Sequence, residues 1–236
     1  MISGNYVELK TKEDLRKVVE DFGDAWKNDK IPILQYELAV KPEIERYRHG
    51  GGCAPYDAFV KCLLSLPKEI DNPKTTLLDA GASSAYYSEV LKIAGFKYDY
   101  TAVDFNPKFR ELAAEHFEVR KFDVADVRDL PYMNGTFDIV VSGSVILHNI
   151  DYQSVIDETV RVSKRYILFH RIPFSRVHPI RYFRKEAYGI PCLEIHFNLQ
   201  EFMNDMTGRG LKAMHIETIF WNDKENYGHM SILFEK

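Results

Sequence analysis

The stretch from Thr75 to Ser88 constrains the fold of this chain more than any other segment. It opens with an apolar, β-branched run ending at Ala80, the pattern of a buried parallel strand. Gly81 stops the strand, and apolar side chains then recur with helical spacing up to Ala94. A strand, a turn of small residues and a helix form the first half of a nucleotide-binding unit. Small residues admit a ligand to the backbone, and the helix N-terminus offers unpaired N–H groups.

A carboxylate follows this turn at the spacing expected for a residue that binds ribose. The next strand-like run, from Tyr98 to Val103, ends in Asp104, about 20 residues after Gly81. In nucleotide-binding folds, an acidic residue at the tip of the second strand accepts hydrogen bonds from the ribose hydroxyls. Asp104 is therefore the strongest single candidate for a ligand-binding residue.

Four motifs follow one another between about residues 75 and 170. They read Leu-Leu-Asp-Ala-Gly-Ala-Ser-Ser-Ala, Ala-Val-Asp-Phe-Asn-Pro, Asp-Val-Arg-Asp-Leu-Pro-Tyr and Thr-Phe-Asp-Ile-Val-Val-Ser-Gly-Ser-Val-Ile-Leu-His-Asn. In this order they resemble the motifs of the Rossmann-like, S-adenosylmethionine-dependent methyltransferases of small molecules. The first motif departs from that pattern, since Ser83 and Ala85 replace the usual second and third glycines. The resemblance implies S-adenosyl-L-methionine as the methyl donor and S-adenosyl-L-homocysteine as the product.

The resemblance also implies donor-binding roles for individual residues. Asp79 matches the carboxylate that organises the loop near the methionine amino group, and Asp104 matches the ribose-binding acid. Asp126 matches the residue that accepts a hydrogen bond from the adenine amine, with Asp123 as a rival three residues earlier. The further predicted donor contacts are Gly81, Ala82, Ser83, Phe105, Val127, Ser142 and Gly143.

Histidine and arginine residues after the later strands are the candidates for the acceptor side. His148 lies where the family often carries a histidine, and imidazole suits a base near neutral pH. A histidine that only caps the loop explains the same position equally well. Residues 170–188 hold several basic side chains against one acid, and arginine forks bind carboxylates and phosphates. A solvated loop or a subunit contact would explain this segment too. The predicted acceptor-binding residues are His170, Arg171, Arg181 and Arg184.

The order of the remaining patterns predicts an α/β fold with a doubly wound, mainly parallel, seven-stranded sheet whose last strand is antiparallel. Predicted strands cover residues 75–80, 98–104, 118–122, 137–142, 165–170, 211–221 and 229–234. Predicted helices cover residues 84–94, 107–116, 151–163 and 199–207.

Two segments lie outside this alternation. Residues 1–72 are predicted to form a helical N-terminal cap, and the resemblance implies that such helices close over the donor. Residues 73–236 then form the Rossmann-like domain. Within it, residues 172–197 contain three prolines and no clean period, which predicts an irregular insertion.

Composition narrows the function classes. The 236 residues include 45% apolar and 28% charged residues, as in an ordinary soluble globular protein. A formal net charge of −4 gives no general attraction to nucleic acid or to an anionic membrane. Three cysteines without metal-ligand spacing predict reduced thiols in a cytoplasmic protein and no metal site. We find no signal peptide in residues 1–30, and no apolar run approaches the roughly 20 residues needed to span a bilayer.

These observations together predict a methyltransferase that acts on an O or N atom of a small acceptor, either anionic or saccharide-like. Two alternatives remain open at this stage. One is a non-catalytic S-adenosylmethionine-binding module, which the loosened glycine loop favours, and the other is a nicotinamide-dependent oxidoreductase. The sequence leaves the acceptor, the use of a general base and a homodimeric state open.

Overall fold

The computed structural model describes residues 6–236, including their side chains except those of residues 22–25. The first five residues of the predicted N-terminal cap lie outside the described residues. The N-terminal part contains a short strand and four helices, with a π-helix, Tyr36–Val40, between the second and third helix. These elements are β1 (Val7–Glu8), α1 (Lys12–Trp26), α2 (Lys30–Gln35), α3 (Lys41–Arg48) and α4 (Ala54–Leu64).

The rest of the chain alternates strands and helices before it ends in antiparallel strands. The alternating part comprises β2 (Thr76–Ala80), α5 (Tyr87–Ala94), β3 (Asp99–Asp104), α6 (Pro107–Phe117), β4 (Phe122–Val124), β5 (Phe137–Gly143), α7 (Tyr152–Val162) and β6 (Ser163–Ser175). The last part comprises β7 (Arg181–Ala187), β8 (Ile190–Asn198), α8 (Leu199–Gly208), β9 (Lys212–Asn222) and β10 (Tyr227–Glu235).

The central sheet confirms the predicted fold class. Its strands lie in the order β4-β3-β2-β5-β6-β10-β9, and β2 to β6 run parallel to one another. Strand β10 is antiparallel to both β6 and β9. From β2 the chain builds outward in one direction through β3 and β4, and in the other through β5 and β6. The order of the strands therefore reverses beside β2, which is where ligands bind in sheets of this kind.

Burial on both faces explains why β2 and β5 read as continuous apolar runs. Leu77, Leu78 and the stretch 139–141 are fully buried, with helices covering both sides of the sheet. Each such side chain stabilises the fold by about 1.5–3 kcal/mol relative to exposure. Phe59 of α4 and Tyr36 belong to the same hydrophobic cluster as Leu77, so the N-terminal helices pack into the core of the sheet domain.

The prediction of an irregular insertion at residues 172–197 is wrong, because most of this segment forms regular strands. Strand β6 continues to Ser175, and β7 and β8 form an antiparallel hairpin that pairs with β1 on one side and with the end of β6 on the other. The hairpin turn is Tyr188-Gly189, and both residues have positive φ values, 55° and 77°. Such a two-residue turn matches the twist of the strands. The prolines hid this hairpin in the sequence because they interrupt the alternation that signals a strand.

The predicted strand at residues 118–122 is also misplaced. Helix α6 ends at Phe117, and Glu118 adopts a left-handed conformation with φ of 55°. The strand begins only at Phe122, because the residues between serve to turn the chain away from the helix. None of the helices between residues 6 and 236 combines the length and the hydropathy that crossing a bilayer demands.

Candidate active site

A cavity of about 540 Å³ opens at the carboxyl ends of β2, β3, β5 and β6. Helix α1, the end of α2 and the β7–β8 hairpin form its remaining walls through Trp26, Gln35 and Tyr188. The cavity thus lies at the point where the strand order reverses. The predicted site residues that line it are Asp79, Gly81, Ala82, Ser83, Asp104, Phe105, Asp126, Val127, Gly143, His148 and Arg171.

The loop after β2 keeps a glycine-like path although two of its expected glycines are replaced. Gly81, Ser83 and Ala85 all have positive φ values, of 79°, 52° and 58°. An L-residue in this conformation costs about 1–2 kcal/mol. The backbone N–H of Ser83 donates to Asp104 Oδ2 at 2.8 Å, which helps to hold the loop in this shape. The loosened motif therefore preserves the loop geometry rather than abolishing it.

Two buried carboxylates lie side by side at the ends of β2 and β3. Asp79 accepts a hydrogen bond from the Tyr100 hydroxyl at 2.7 Å, and burial together with nearby Asp104 raises the pKa of Asp79 to about 7. Burial also raises the pKa of Asp104 to about 6, against the opposing effect of its backbone N–H donors. A positively charged ligand favours the ionised form of both groups. This end of the cavity therefore suits a cation.

The segment around Asp126 differs in detail from the expectation. Asp126 lines the cavity, but Arg128 binds its carboxylate through Nη2 at 2.5 Å and Nε at 3.0 Å, which lowers the pKa of Asp126. The rival, Asp123, accepts from the Tyr132 hydroxyl outside the cavity lining. Phe105, 45% exposed, and Val127 line the same wall as apolar surfaces. Phe105 and Val127 thus line the cavity as predicted, while the carboxylate of Asp126 is paired with Arg128, which the sequence analysis missed.

His148 lines the cavity from a short 3₁₀ helix, Ile146–His148, which follows β5. Its Nδ1 lies 2.5 Å from the carbonyl oxygen of Leu193 in β8. A carbonyl can only accept, so we assign the proton to Nδ1 and the lone pair to Nε2. Burial lowers the pKa of His148, with Glu194 opposing that effect. The imidazole is therefore neutral near pH 7, the form that a general base requires.

Residues of the β7–β8 hairpin also line the cavity, and the sequence analysis did not select them as site residues. Lys185 Nζ donates to Glu194 Oε2 at 2.8 Å, and the Tyr6 hydroxyl donates to Glu194 Oε1 at 3.0 Å. Despite its burial, the hydrogen bond from His196 and the charge of Lys185 hold the pKa of Glu194 well below its usual range. Lys185, Tyr188, Cys192 and Glu194 all line the cavity. Recognising the hairpin would have revealed them, because strand residues two apart share one face.

Four predicted site residues are not brought to the cavity lining. Ser142 is fully buried behind Gly143, and His170 is buried between the Tyr87 hydroxyl and Ser231 Oγ at 2.6 and 2.8 Å. Arg181 lies over the Phe183 ring, and Arg184 pairs with Glu186 on the outside of the hairpin. The side chains of Arg184 and Lys185 alternate, so that only Lys185 faces inward. The direct acceptor contacts predicted for His170, Arg181 and Arg184 are therefore absent in this arrangement.

Residues 78–166 match a family model described as a methyltransferase domain. This segment, which makes up less than half of the chain, is therefore similar to methyltransferase domains. No curated protein matches the chain at a significant level. Solved structures at low sequence identity share its fold.

Three solved structures illustrate the shared fold. The 1,6-didemethyltoxoflavin-N1-methyltransferase of Burkholderia thailandensis, solved with 1,6-didemethyltoxoflavin and S-adenosylhomocysteine, is 17% identical with a TM-score of 0.62, covering 100% of this chain and 96% of that chain. The magnesium protoporphyrin IX methyltransferase of Synechocystis PCC 6803, solved with S-adenosylmethionine, is 14% identical with a TM-score of 0.55 over 89% and 97%. The cyclase SpnF is 15% identical with a TM-score of 0.55 over 86% and 93%.

The half of the cavity that the ends of β2 and β3 line, which we call the donor half, has groups that a bound S-adenosylmethionine would need. Gly81 lets the Val145 side chain pack closely against the loop, since a Cβ at Gly81 would lie 2.3 Å from Val145 Cγ2. Asp104 and Asp79 present carboxylates there, which would accept hydrogen bonds from ribose hydroxyls and an amino group, and Phe105 presents an apolar surface on which adenine would pack. Within residues 6–236, no cluster of three or more His, Cys, Asp or Glu side chains is arranged to hold a metal ion.

Gln35 connects the end of α2 with the loop after β2 and with the tip of the β7–β8 hairpin. Its Oε1 accepts from the Ser83 hydroxyl at 2.7 Å, and its side chain also hydrogen-bonds Tyr188 at the hairpin tip. Gln35 ends α2, so the N-terminal helices reach the donor loop directly. Tyr47 and His49, near the glycine run 50–52, lie outside the cavity lining. The Tyr47 hydroxyl donates to Asp57 Oδ1, and His49 Nδ1 hydrogen-bonds the carbonyl oxygen of Glu45.

We expect Gly81→Ala to destabilise the protein by roughly 2–5 kcal/mol and to weaken donor binding. The left-handed backbone accounts for about 1–2 kcal/mol, and crowding against Val145 for about 1–3 kcal/mol. Chemical denaturation and calorimetry with S-adenosylhomocysteine measure the two effects. Gly95→Ala is the matched control, because Gly95 has φ of 86° and no atom within 4 Å of an added Cβ. Equal losses for the two variants would show that Val145 yields.

Proposed function

We propose that this chain transfers the methyl group of S-adenosylmethionine to an oxygen or nitrogen atom of a small acceptor. The acceptor would lie between His148 and the β7–β8 hairpin. The observation that carries this proposal is that donor-half residues and acceptor-half residues line one continuous cavity. The three buried free thiols, Cys53, Cys62 and Cys192, support a cytoplasmic location.

The residues of the cavity suggest how the reaction would proceed. When bound, S-adenosylmethionine supplies a methyl group on a sulfonium: an acceptor lone pair attacks the methyl carbon in line, the carbon–sulfur bond breaks, and S-adenosylhomocysteine leaves. Walls from α1 and the β7–β8 hairpin hold the reactants together, and such positioning is worth up to roughly 7–11 kcal/mol. His148 Nε2 would take the proton that a hydroxyl acceptor releases, while Leu193 keeps the ring oriented.

The charges of the cavity support an anionic acceptor over a neutral, saccharide-like one. In the half beside His148 and the β7–β8 hairpin, the acceptor half, Lys185 is paired with Glu194, and Arg171 is the cation with no ion-pair partner among the described side chains. The buried acids Asp79 and Asp104 lie in the donor half. A cation at one end and an anion at the other would be held in matching environments. The low identity to the solved methyltransferases means that their acceptors do not transfer to this chain.

Turnover decides between methyl transfer and the alternatives. The cyclase SpnF carries the same fold, so binding of S-adenosylmethionine alone would not establish methyl transfer. Calorimetry with S-adenosylmethionine and S-adenosylhomocysteine should show binding, and mass spectrometry should detect a methylated product from an acceptor panel. Binding without turnover on any acceptor would favour the non-catalytic module. Retained NADH fluorescence in the purified protein would favour the oxidoreductase instead.

A further inference from the structure

Strand β6 contains a bulge at the edge of the cavity. Ile172 pairs with Met230 and Phe169 pairs with Ile232, so that His170 and Arg171 both lie opposite the single residue Ser231. Arg171 has φ of 58°, a conformation that side chains other than those of asparagine and aspartate seldom adopt. Bulges beside active sites commonly re-aim a side chain, and this one directs Arg171 to the cavity.

Hydrogen bonds hold the bulge in place. His170 Nδ1 bonds Ser231 Oγ at 2.8 Å, and His170 Nε2 bonds the Tyr87 hydroxyl at 2.6 Å. The backbone N–H of Arg171 also donates to Ser231 Oγ at 3.4 Å. His170 and Ser231 are fully buried. An unfavourable backbone conformation persists when its surroundings determine it this firmly, and such residues concentrate at functional sites.

The guanidinium of Arg171 has no anionic partner among the described side chains. No hydrogen bond or ion pair found within those side chains uses it, and the carboxylate that acts on it, Glu43, does so only at longer range. Other basic residues of this segment are engaged: Arg176 lies over Trp221, and Arg184 pairs with Glu186. Arg171 is half-buried, and a cation that has lost part of its water without gaining a counter-charge is destabilised.

We propose that Arg171 is a specificity-determining residue that binds a carboxylate or phosphate group on the acceptor. The inference rests on the proposed function, which places the acceptor beside β6. A guanidinium binds either anion through two parallel N–H bonds. Partial burial and the neighbouring phenols of Tyr86, Tyr87 and Tyr188 shield that interaction in part from bulk water. A neutral acceptor would leave the guanidinium unpaired.

Binding of simple anions to the protein saturated with S-adenosylhomocysteine tests this proposal. The probes are benzoate, inorganic phosphate and the neutral isostere benzamide, each measured by calorimetry. We expect benzoate or phosphate to bind the wild-type protein and to bind Arg171→Gln and Arg171→Asn at least tenfold more weakly. Asparagine tolerates the left-handed backbone, so Arg171→Asn should keep the wild-type Tm. Arg184→Gln, a change outside the cavity, should bind the anions as the wild type does.

Several results would overturn the proposal. They are failure of both anions to bind the wild-type protein, equal binding of benzamide, and unchanged anion affinity in the Arg171 variants. Loss of S-adenosylhomocysteine affinity in those variants, matching the loss for anions, would show that Arg171 serves the methionine carboxylate of the donor. These measurements need no turnover, so they stand apart from the proposed function. Undiminished methylation of an anionic acceptor by Arg171→Gln would overturn this inference and leave the proposed function intact.

Discussion

Replacing His148 with asparagine should lower turnover by roughly 10²–10⁴-fold and leave donor affinity near the wild-type value. The asparagine amide can still donate to the carbonyl of Leu193, the partner that His148 Nδ1 contacts at 2.5 Å. The substitution therefore removes Nε2, the basic atom, while keeping the local hydrogen bond. Steady-state kinetics and calorimetry with S-adenosylhomocysteine measure the two effects separately.

His49→Asn is the matched control for this experiment. His49 makes the same kind of bond, from Nδ1 to the backbone carbonyl of Glu45, but it is exposed and lies outside the cavity lining. Its substitution should leave turnover unchanged. Near-normal turnover of His148→Asn would instead make positioning the main source of rate and His148 a structural residue.

The pH dependence of turnover adds a second test of His148. A general base works in its neutral form, and burial lowers the pKa of His148 below its ordinary value of about 6.5. The neutral form therefore persists to lower pH than for a solvated histidine. We expect a flat rate through neutral pH and an acid limb that falls only below about pH 6.5. An acid limb centred above that value would contradict the assignment.

Replacing Asp104 with alanine should weaken donor binding by about 1.5–3 kcal/mol, or roughly 10–150-fold. The variant loses the predicted bonds to the ribose hydroxyls, and it also removes the acceptor for the Ser83 N–H, which helps to hold the loop. Calorimetry with S-adenosylhomocysteine measures the change, and circular dichroism confirms that the variant is folded. An unchanged dissociation constant in the folded variant would contradict the assignment.

The ionisation of Asp104 predicts how donor affinity depends on pH. Burial raises its pKa to about 6, so the carboxylate is charged above that pH and protonated below it. A protonated carboxyl accepts fewer hydrogen bonds, and donor affinity should fall as the pH falls through about 6. Asp104→Asn should bind the donor more weakly at pH 8 and should lose the part of this dependence that Asp104 contributes, while the titration of Asp79 remains. Asp99→Ala is the control, because Asp99 begins the same strand and pairs with Lys121 outside the cavity.

The sequence determined the parts of this protein that depend on neighbours along the chain. Residues 76–80 alternate with a helix and a second strand in a pattern that can bury both faces of a parallel sheet. Parallel strands end at one edge, so Asp79, Gly81 and Asp104 had to lie close together there. His148 follows β5 at the same edge for the same reason. The fold class and most of the donor half therefore follow from local pattern.

Tertiary structure alone decided the parts that depend on contacts between distant segments. The β7–β8 hairpin has prolines that conceal its alternation, yet pairing with β6 and β1 makes it regular and brings Lys185 and Glu194 to the cavity. Arg171 and Arg184 both belong to the basic segment 170–188, and the sequence alone does not distinguish their positions in the fold. A bulge set by pairing with β10 directs Arg171 inward, while strand alternation turns Arg184 to solvent. Cross-strand register, which no local pattern encodes, thus determined which of the basic residues line the cavity.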